Sequence, residues 1–348
     1  MRAISAAECV SLAIQRTREF LFRPFSWGTY LKLGLVAIIT EGLGWNLQSS
    51  SHNGQSGGNG LNLPPVFNLW QLLIPAMFAL ALAAIVLFWV FYLITRLRFA
   101  FFHCLIHNTK QIRPGWRFYR EPAARFFWLN VGVGFCFLLV VALISLPFIS
   151  GFLRLFQETR LGSPFDFGLL LSLVLPLIPI ILLLALAGFL ADLILRDLML
   201  PHYALENTTA GEAWSQALAR IMAEKRQFIV YALLRVALPA IAMAALFIVL
   251  FLPGLVLAGS LAAVEWGLNS TFSDATGASA LVGKLLEVFF GLLALGFAVL
   301  ASICLGGFVS TGIREYALIF YGGRYKALGD ILDPPPPTQP ALGASEVA

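Results

Sequence analysis

The stretch RDLMLPHYALENTTAGEAW, residues 196–214, joins two long apolar runs and decides the architecture of this chain. It opens on the charged pair Arg196 and Asp197, is interrupted by Pro201, and ends at Trp214. Because apolar runs flank it on both sides, we interpret it as a connector that lies against a membrane surface. A looser copy begins at Arg98 and shows the same spacing from arginine to tryptophan, which suggests one unit used more than once.

The composition excludes an ordinary soluble domain. Of the 348 residues, 59% are hydrophobic and only 12% are charged. Several apolar runs exceed the roughly 20 residues that a membrane-spanning helix needs. We predict an all-α integral membrane protein with six transmembrane helices in three helix-pair units, joined by short interfacial elbow helices. The predicted spans are residues 26–43, 68–95, 126–150, 167–195, 228–258 and 285–312.

The remaining segments have their own predicted structures. Residues 1–25 carry apolar side chains at helical spacing and predict an N-terminal helix that lies in the membrane interface. Residues 26–326 form the transmembrane domain, and the proline-rich residues 327–348 predict a disordered cytoplasmic tail. We predict in-plane helices at residues 5–21, 116–124 and 211–225.

The distribution of positive charge predicts the orientation. Of the 23 lysines and arginines, all but Arg154, Arg160 and Lys284 fall in segments on one side of the predicted spans. The positive-inside rule then places both termini in the cytoplasm of a multi-pass protein of the inner membrane.

Charged and aromatic residues at the cytoplasmic connectors are the candidate site. Arginine suits this position because its planar fork can hold a phosphate through two hydrogen bonds. The candidate headgroup and elbow contacts are Arg98, Arg113, Trp116, Arg117, Arg120, Arg196, Asp197, Glu206, Trp214 and Arg314. Asp192 and Arg196 are four residues apart and predict an intramembrane ion pair.

The expected partners are the anionic headgroups of lipids at the cytoplasmic face, or a second membrane protein. Nucleic acid is not expected, because the basic and aromatic residues lie next to predicted spans, where anionic lipid attracts them. No Walker A or HExxH pattern occurs, and we expect no enzyme activity and no cofactor. His103 and His107 could share a metal, but no further ligand lies nearby in the sequence, and we expect none.

Two functions fit these features. The preferred one is a non-catalytic membrane scaffold that binds lipids or a partner. The alternative is a transporter or permease-like subunit for a small or lipid-like substrate, because prolines interrupt the predicted spans. Transport is the weaker interpretation, since the centres of those spans are almost entirely apolar.

One pattern also resembles a known family. Asp197, Pro201 and Glu206, followed by the Glu212–Trp214 triplet and by Phe228, are similar to the signature of the membrane domain found beside glycerophosphodiester phosphodiesterases. Related bacterial and archaeal multi-helix families share it. The resemblance implies a helix that ends at a proline and leads through an interfacial helix into the next span. It implies no phosphodiesterase activity, because we find no soluble phosphodiesterase domain in this sequence.

Overall fold

The computed structural model describes residues 4–42, 69–160, 167–272 and 278–334, which are helical and contain no strand. The helices are α1 Glu8–Phe22, α2 Trp27–Ala37, α3 Leu69–Ile106, α4 Ile112–Phe118, α5 Arg120–Arg160, α6 Phe167–Leu193, α7 Leu200–Leu205, α8 Ala210–Ala223, α9 Lys225–Phe272, α10 Ala278–Gly322 and α11 Lys326–Leu332. A π-helical turn, Ile38–Gly42, extends α2, and a second one, Ile194–Met199, joins α6 to α7.

Within the described residues, five helices are long and apolar enough to cross a membrane. They contain the segments Ile74–Ile106, Arg120–Leu153, Leu170–Leu205, Lys225–Val249 and Leu281–Gly322. Each has at least 25 residues, which exceeds the roughly 20 needed to cross the hydrocarbon core. Their apolar side chains point outward, as side chains in contact with lipid would. The chain is therefore an all-α, multi-pass membrane protein, and five of the six predicted spans coincide with these helices.

The first predicted span, residues 26–43, is not among the five. α2 has 11 residues and its π-helical turn has five. Together they extend for about 24 Å at 1.5 Å per residue, which is short of the roughly 30 Å of a bilayer core. A prediction of six spans is therefore not confirmed.

Contacts along α10 show what the start of the chain does instead. Arg16 of α1 pairs with Glu315 of α10, and the ring of Phe22, at the end of α1, lies 6.3 Å from the ring of Phe308. As α1 proceeds, its partners on α10 thus have lower residue numbers. α1 therefore runs antiparallel to α10.

α2 then returns in the opposite direction. The Tyr30 hydroxyl donates a hydrogen bond to the carbonyl oxygen of Cys304, and the Glu41 carboxylate lies near the guanidinium of Arg314. α1 and α2 thus form a helical hairpin on α10. The sequence had placed Glu41 at the outer end of a span and Arg314 at the cytoplasmic end of another. The structure brings the two residues together, so their predicted placement on opposite sides of the membrane is not confirmed.

The chain divides into two compact units, Met1–Gly115 with Lys225–Ala348, and Trp116–Glu224. In the first unit, α1, α2, α9 and α11 all contact α10. Tyr231 of α9 stacks on Tyr316 and Phe320 of α10, with ring centroids 5.3 and 4.3 Å apart. The second unit holds the pair α5 and α6, followed by α7 and α8. This division into two units does not confirm the predicted arrangement of three equivalent helix pairs.

The predicted in-plane helix at 116–124 is also wrong in its bounds. α4 ends at Phe118, Tyr119 forms a turn, and α5 begins at Arg120, so the predicted segment straddles a break. Tyr119 anchors the break because its side chain is buried. That burial raises the pKa of the Tyr119 phenol to about 12. The helix predicted at 211–225 corresponds to α8, and the one at 5–21 overlaps α1.

Ordered structure continues past residue 327, where the sequence predicted a disordered tail. Residues Lys326–Leu332 form α11, and Leu328 is fully buried. The apolar positions of this short helix give it a face to bury, which the prolines after it lack. The rest of the predicted tail, residues 335–348, lies outside the described residues.

Candidate functional site: buried ion pairs and an elbow helix

The first unit holds a buried set of charges that we name the Glu41 cluster, composed of Glu41, Arg235 and Arg314. Glu41 Oε2 lies 2.8 Å from Arg235 Nη2, and Glu41 Oε1 lies 3.9 Å from Arg314 Nε. All three side chains are at most 10% exposed. Buried ions are costly unless they are paired, so this arrangement requires all three segments to remain together. The π-helical turn presents Glu41 to both arginines, and such turns are frequent at functional sites.

A third arginine contacts the same π-helical turn. Arg98 Nε donates a hydrogen bond of 3.2 Å to the carbonyl oxygen of Thr40. The structure therefore brings two of the predicted site residues, Arg98 and Arg314, to adjacent positions of one turn. Sequence reasoning missed Glu41, although an acid at the end of an apolar run was a usable signal.

A second buried ion pair lies farther along α10. Glu315 is fully buried, and its Oε2 lies 3.2 Å from Arg16 Nε. Arg16 Nη2 also donates a hydrogen bond of 3.1 Å to the carbonyl oxygen of Leu105. One guanidinium thus joins α1, α3 and α10. Neither Arg16 nor Glu315 was a predicted site residue, although the position of Glu315 directly after Arg314 was a usable signal.

In the second unit, the predicted neighbours Asp192 and Arg196 lie together. Arg196 Nη1 is 2.9 Å from Asp192 Oδ2, with the arginine buried and the aspartate half exposed. Asp197 is also buried, at 2% exposure. Arg196 and Asp197 belong to the second π-helical turn. We define the elbow as this turn together with α7 and α8, so both residues lie at its start.

His202 connects the two short helices of the elbow. Its Nε2 lies 3.0 Å from Arg220 Nη1, and its Nδ1 lies 3.4 Å from Glu206 Oε2. An arginine only donates, so Nε2 must accept, and the ring proton is assigned to Nδ1, which donates toward Glu206. The fully buried ring therefore links α7 to α8 as a neutral imidazole. The candidate Glu206 takes part in this link, whereas Arg220 was not predicted.

α8 begins with a capping box. The Glu212 amide donates to Thr209 Oγ1 at 3.4 Å, and the Thr209 amide donates to Glu212 Oε2 at 3.0 Å. This reciprocal pair satisfies two amides that the start of a helix would otherwise leave without partners.

Two faces of α8 differ in character. Ala213 and Ala217 are buried, and their small side chains allow close packing. On another side, we define the outer stripe as Trp214, Leu218 and Met222, which are spaced four residues apart and exposed by 46, 37 and 55%. Exposed apolar patches are found at protein and membrane interaction sites in general.

The remaining predicted site residues do not gather into an enclosed site. Arg113, Arg117 and Arg120 are exposed, and Trp116 is half-buried. The rings of His103 and His107 lie 4.5 Å apart, but no group of three metal-ligating side chains occurs in the part of the chain that the structure describes.

The capping box makes a prediction about pH. The Thr209 amide, and next the Thr209 side chain, hold the pKa of Glu212 below its usual value. Because its pKa is lowered in the folded chain, the Glu212 carboxylate stabilises the helix fully at pH values above the ordinary pKa of a glutamate. This stabilisation is lost as the pH falls through the lowered pKa. We expect the amides of residues 210–213 to exchange faster on acidification from about pH 6 to about pH 3, after correction for intrinsic rates. The Glu212→Gln variant should lack this extra response, and an unchanged response in the variant would contradict the assignment.

Comparison with known proteins places the chain in a family. Residues 4–331 match a family described as a family of unknown function, DUF7544. Searches among curated proteins and among solved structures gave no match. The resemblance to the membrane domain beside glycerophosphodiester phosphodiesterases receives no support from these comparisons. Because the match extends over most of its length, the chain belongs to the DUF7544 family.

Proposed function

We propose that this protein is a non-catalytic membrane scaffold that binds anionic lipid headgroups at the cytoplasmic face of the inner membrane through its elbow helix α8. The observation that carries the proposal is the exposed outer stripe of Trp214, Leu218 and Met222. The resemblance of residues 196–214 to the membrane domain beside glycerophosphodiester phosphodiesterases is part of the same proposal, since it implies an elbow at the membrane surface.

The chemistry of the elbow fits an interfacial helix. Tryptophan prefers the level of the headgroups, where its ring is apolar and its N–H is solvated. Lys225 and Arg226 follow α8 directly in the chain, and both are exposed. Each base near an anionic surface contributes about 1 kcal/mol to the attraction. Exposed Arg117, near the end of α4, and exposed Arg120, at the start of α5, add the same preference.

The proposed orientation has support within the first unit. Arg324 donates hydrogen bonds of 3.3 Å to the carbonyl oxygen of Ile4, so the two ends of the described chain lie together. Segments that touch outside the apolar spans belong to one side of a membrane. The excess of bases near both ends then favours the cytoplasmic side.

Native mass spectrometry of the purified protein tests the role of α8. The triple variant Trp214→Ala, Leu218→Ala and Met222→Ala should retain phosphatidylglycerol at least about tenfold less well than the wild type, because three apolar contacts are lost. A matched triple variant, Ile178→Ala, Leu182→Ala and Leu186→Ala, truncates apolar side chains on α6 that are more exposed than the outer stripe. Equal losses in both variants, or no loss in the first, would overturn the proposal.

A second function, transport, is favoured by one specific observation. The Glu41 cluster buries the charged side chains of two candidate spans against the π-helical turn that ends α2. Ionisable groups and broken helices at such positions are typical of transport pathways. Currents from proteoliposomes after concentration jumps of small charged solutes would favour transport if they vanish in Arg235→Gln. Their absence in the wild type would favour the scaffold.

A further inference from the structure

A cleft of about 470 Å³ opens in the first unit between α1, the end of α3 and α11. It combines charged, polar and apolar walls, which is the composition expected where an amphipathic ligand binds. Its lining includes Arg16, Glu19, Ile106, His107, Ile331 and Leu332.

We propose that this cleft binds the phosphoethanolamine group of a membrane lipid, with the phosphate against Arg16 and His107 and the ammonium against Glu19. The site lies on residues other than those of α8. It therefore does not rest on the proposed role of the elbow helix.

The charges of the cleft suit a zwitterion. Arg16 and Glu19 are three residues apart on α1, so their Cβ atoms are neighbours on one helix face at about 5–6 Å. They are the two charged side chains among the lining residues, and they have opposite signs. A purely anionic ligand would meet Glu19, and a purely cationic one would meet Arg16. A group that carries a phosphate and an ammonium satisfies both.

The Arg16 guanidinium is already held in place for such a ligand. Its Nε pairs with the buried Glu315, and its Nη2 donates to the carbonyl oxygen of Leu105. Neither contact uses Nη1, which carries two N–H donors. A fixed guanidinium binds phosphate at a lower entropic cost than a flexible side chain does.

Glu19 and His107, the other two side chains that would contact the headgroup, are also held in place. Gln15 Nε2 donates to Glu19 Oε1 at 3.3 Å, which positions the carboxylate that would accept from the ammonium. His107 is exposed, and its ring packs against that of His103. It follows the last residue of α3, Ile106, where the helix dipole also favours a cation.

The apolar part of the cleft accounts for the rest of a lipid. Ile331 and Leu332, both partly exposed, line it beside the charged pair. A phosphoethanolamine without chains would leave these walls exposed to water. A glycerol ester would cover them, which is why the proposal specifies a lipid.

Competition between two lipids tests the site. The purified protein is equilibrated in detergent with equal amounts of phosphatidylethanolamine and phosphatidylglycerol, and native mass spectrometry gives the ratio of bound species. This ratio is compared between variants, because α8 is proposed to retain phosphatidylglycerol in all of them. Glu19→Gln should lower the ratio about five- to tenfold by removing the charge that faces the ammonium. His107→Ala should weaken the binding of both lipids to the same extent, because both carry the phosphate.

Glu8→Gln is the matched control, since Glu8 is also an exposed acid of α1 but does not line the cleft. Its ratio should equal that of the wild type. Soluble phosphoethanolamine in a further arm should displace the lipid only at much higher concentration, because it cannot cover the apolar walls. The same ratio in Glu19→Gln and Glu8→Gln would overturn the proposal. Equal potency of the soluble compound would overturn its assignment to a lipid.

Discussion

Replacing Glu41 with alanine is expected to lower the free energy of unfolding by about 3–5 kcal/mol, the usual cost of removing one partner from a buried ion pair. The reason is that Arg235 and Arg314 keep their charges in a nearly water-free environment after the carboxylate is gone. The free energy of unfolding of Glu41→Gln should lie between those of Glu41→Ala and the wild type, because the glutamine amide oxygen can still accept a hydrogen bond. Unfolding of the purified protein in mixed micelles, followed by circular dichroism, measures these differences.

Glu287→Ala provides the control for the Glu41 experiment. Glu287 is an exposed acid of α10, so its removal should change stability by no more than about 0.5 kcal/mol. If Glu41→Ala were as stable as Glu287→Ala, the three charges could not form a buried cluster. The hairpin of α1 and α2 would then lack its main polar anchor on α9 and α10.

The same residue shows where sequence reasoning about the fold reached its limit. An apolar run ending at Glu41 has the composition of a span, and composition is identical for a helix that crosses and one that returns along a neighbour. What decides is the contact of Tyr30 with Cys304, which are 274 positions apart. The usable signal was length, because the 16 residues of α2 and its π-helical turn fall short of a bilayer. The five longer helices were predictable because their length and apolar composition suffice locally.

The same distinction between local and distant contacts determines which parts of the candidate site were predictable. Asp192 and Arg196 are four residues apart on one helix, so their pairing follows from helix geometry alone. Glu41 and Arg235 are 194 positions apart, and no local pattern connects them. His202 and Arg220 were both visible in the sequence, but their contact depends on how the chain turns between α7 and α8. The exposed bases of the connectors were predictable as a class, although not as members of one enclosed site.

The packing of the hairpin on α10 depends on two glycines. A Cβ atom at Gly307 would lie 2.5 Å from the Cα of Gly34 and 3.1 Å from its carbonyl carbon. These are backbone atoms, which cannot rotate away as a side chain does, so the two helices would have to separate. Small residues at such a crossing allow helices in a membrane to approach closely.

We therefore expect Gly307→Ala to lower the free energy of unfolding by about 3 kcal/mol, at the upper end of the cost of overpacking. Gly296→Ala is the matched control on the same helix, because nothing lies within 4 Å of a Cβ added there. That variant should be neutral or slightly stabilising, since alanine favours a helix by roughly 1 kcal/mol over glycine. Limited proteolysis of residues 23–26, between α1 and α2, gives an independent measure of whether the hairpin has separated from α10. If Gly307→Ala and Gly296→Ala unfold alike and are cut at the same rate, α2 does not pack against α10. The burial of Glu41 between Arg235 and Arg314 would then lose its structural basis as well, because α2 is the helix that carries Glu41 to them.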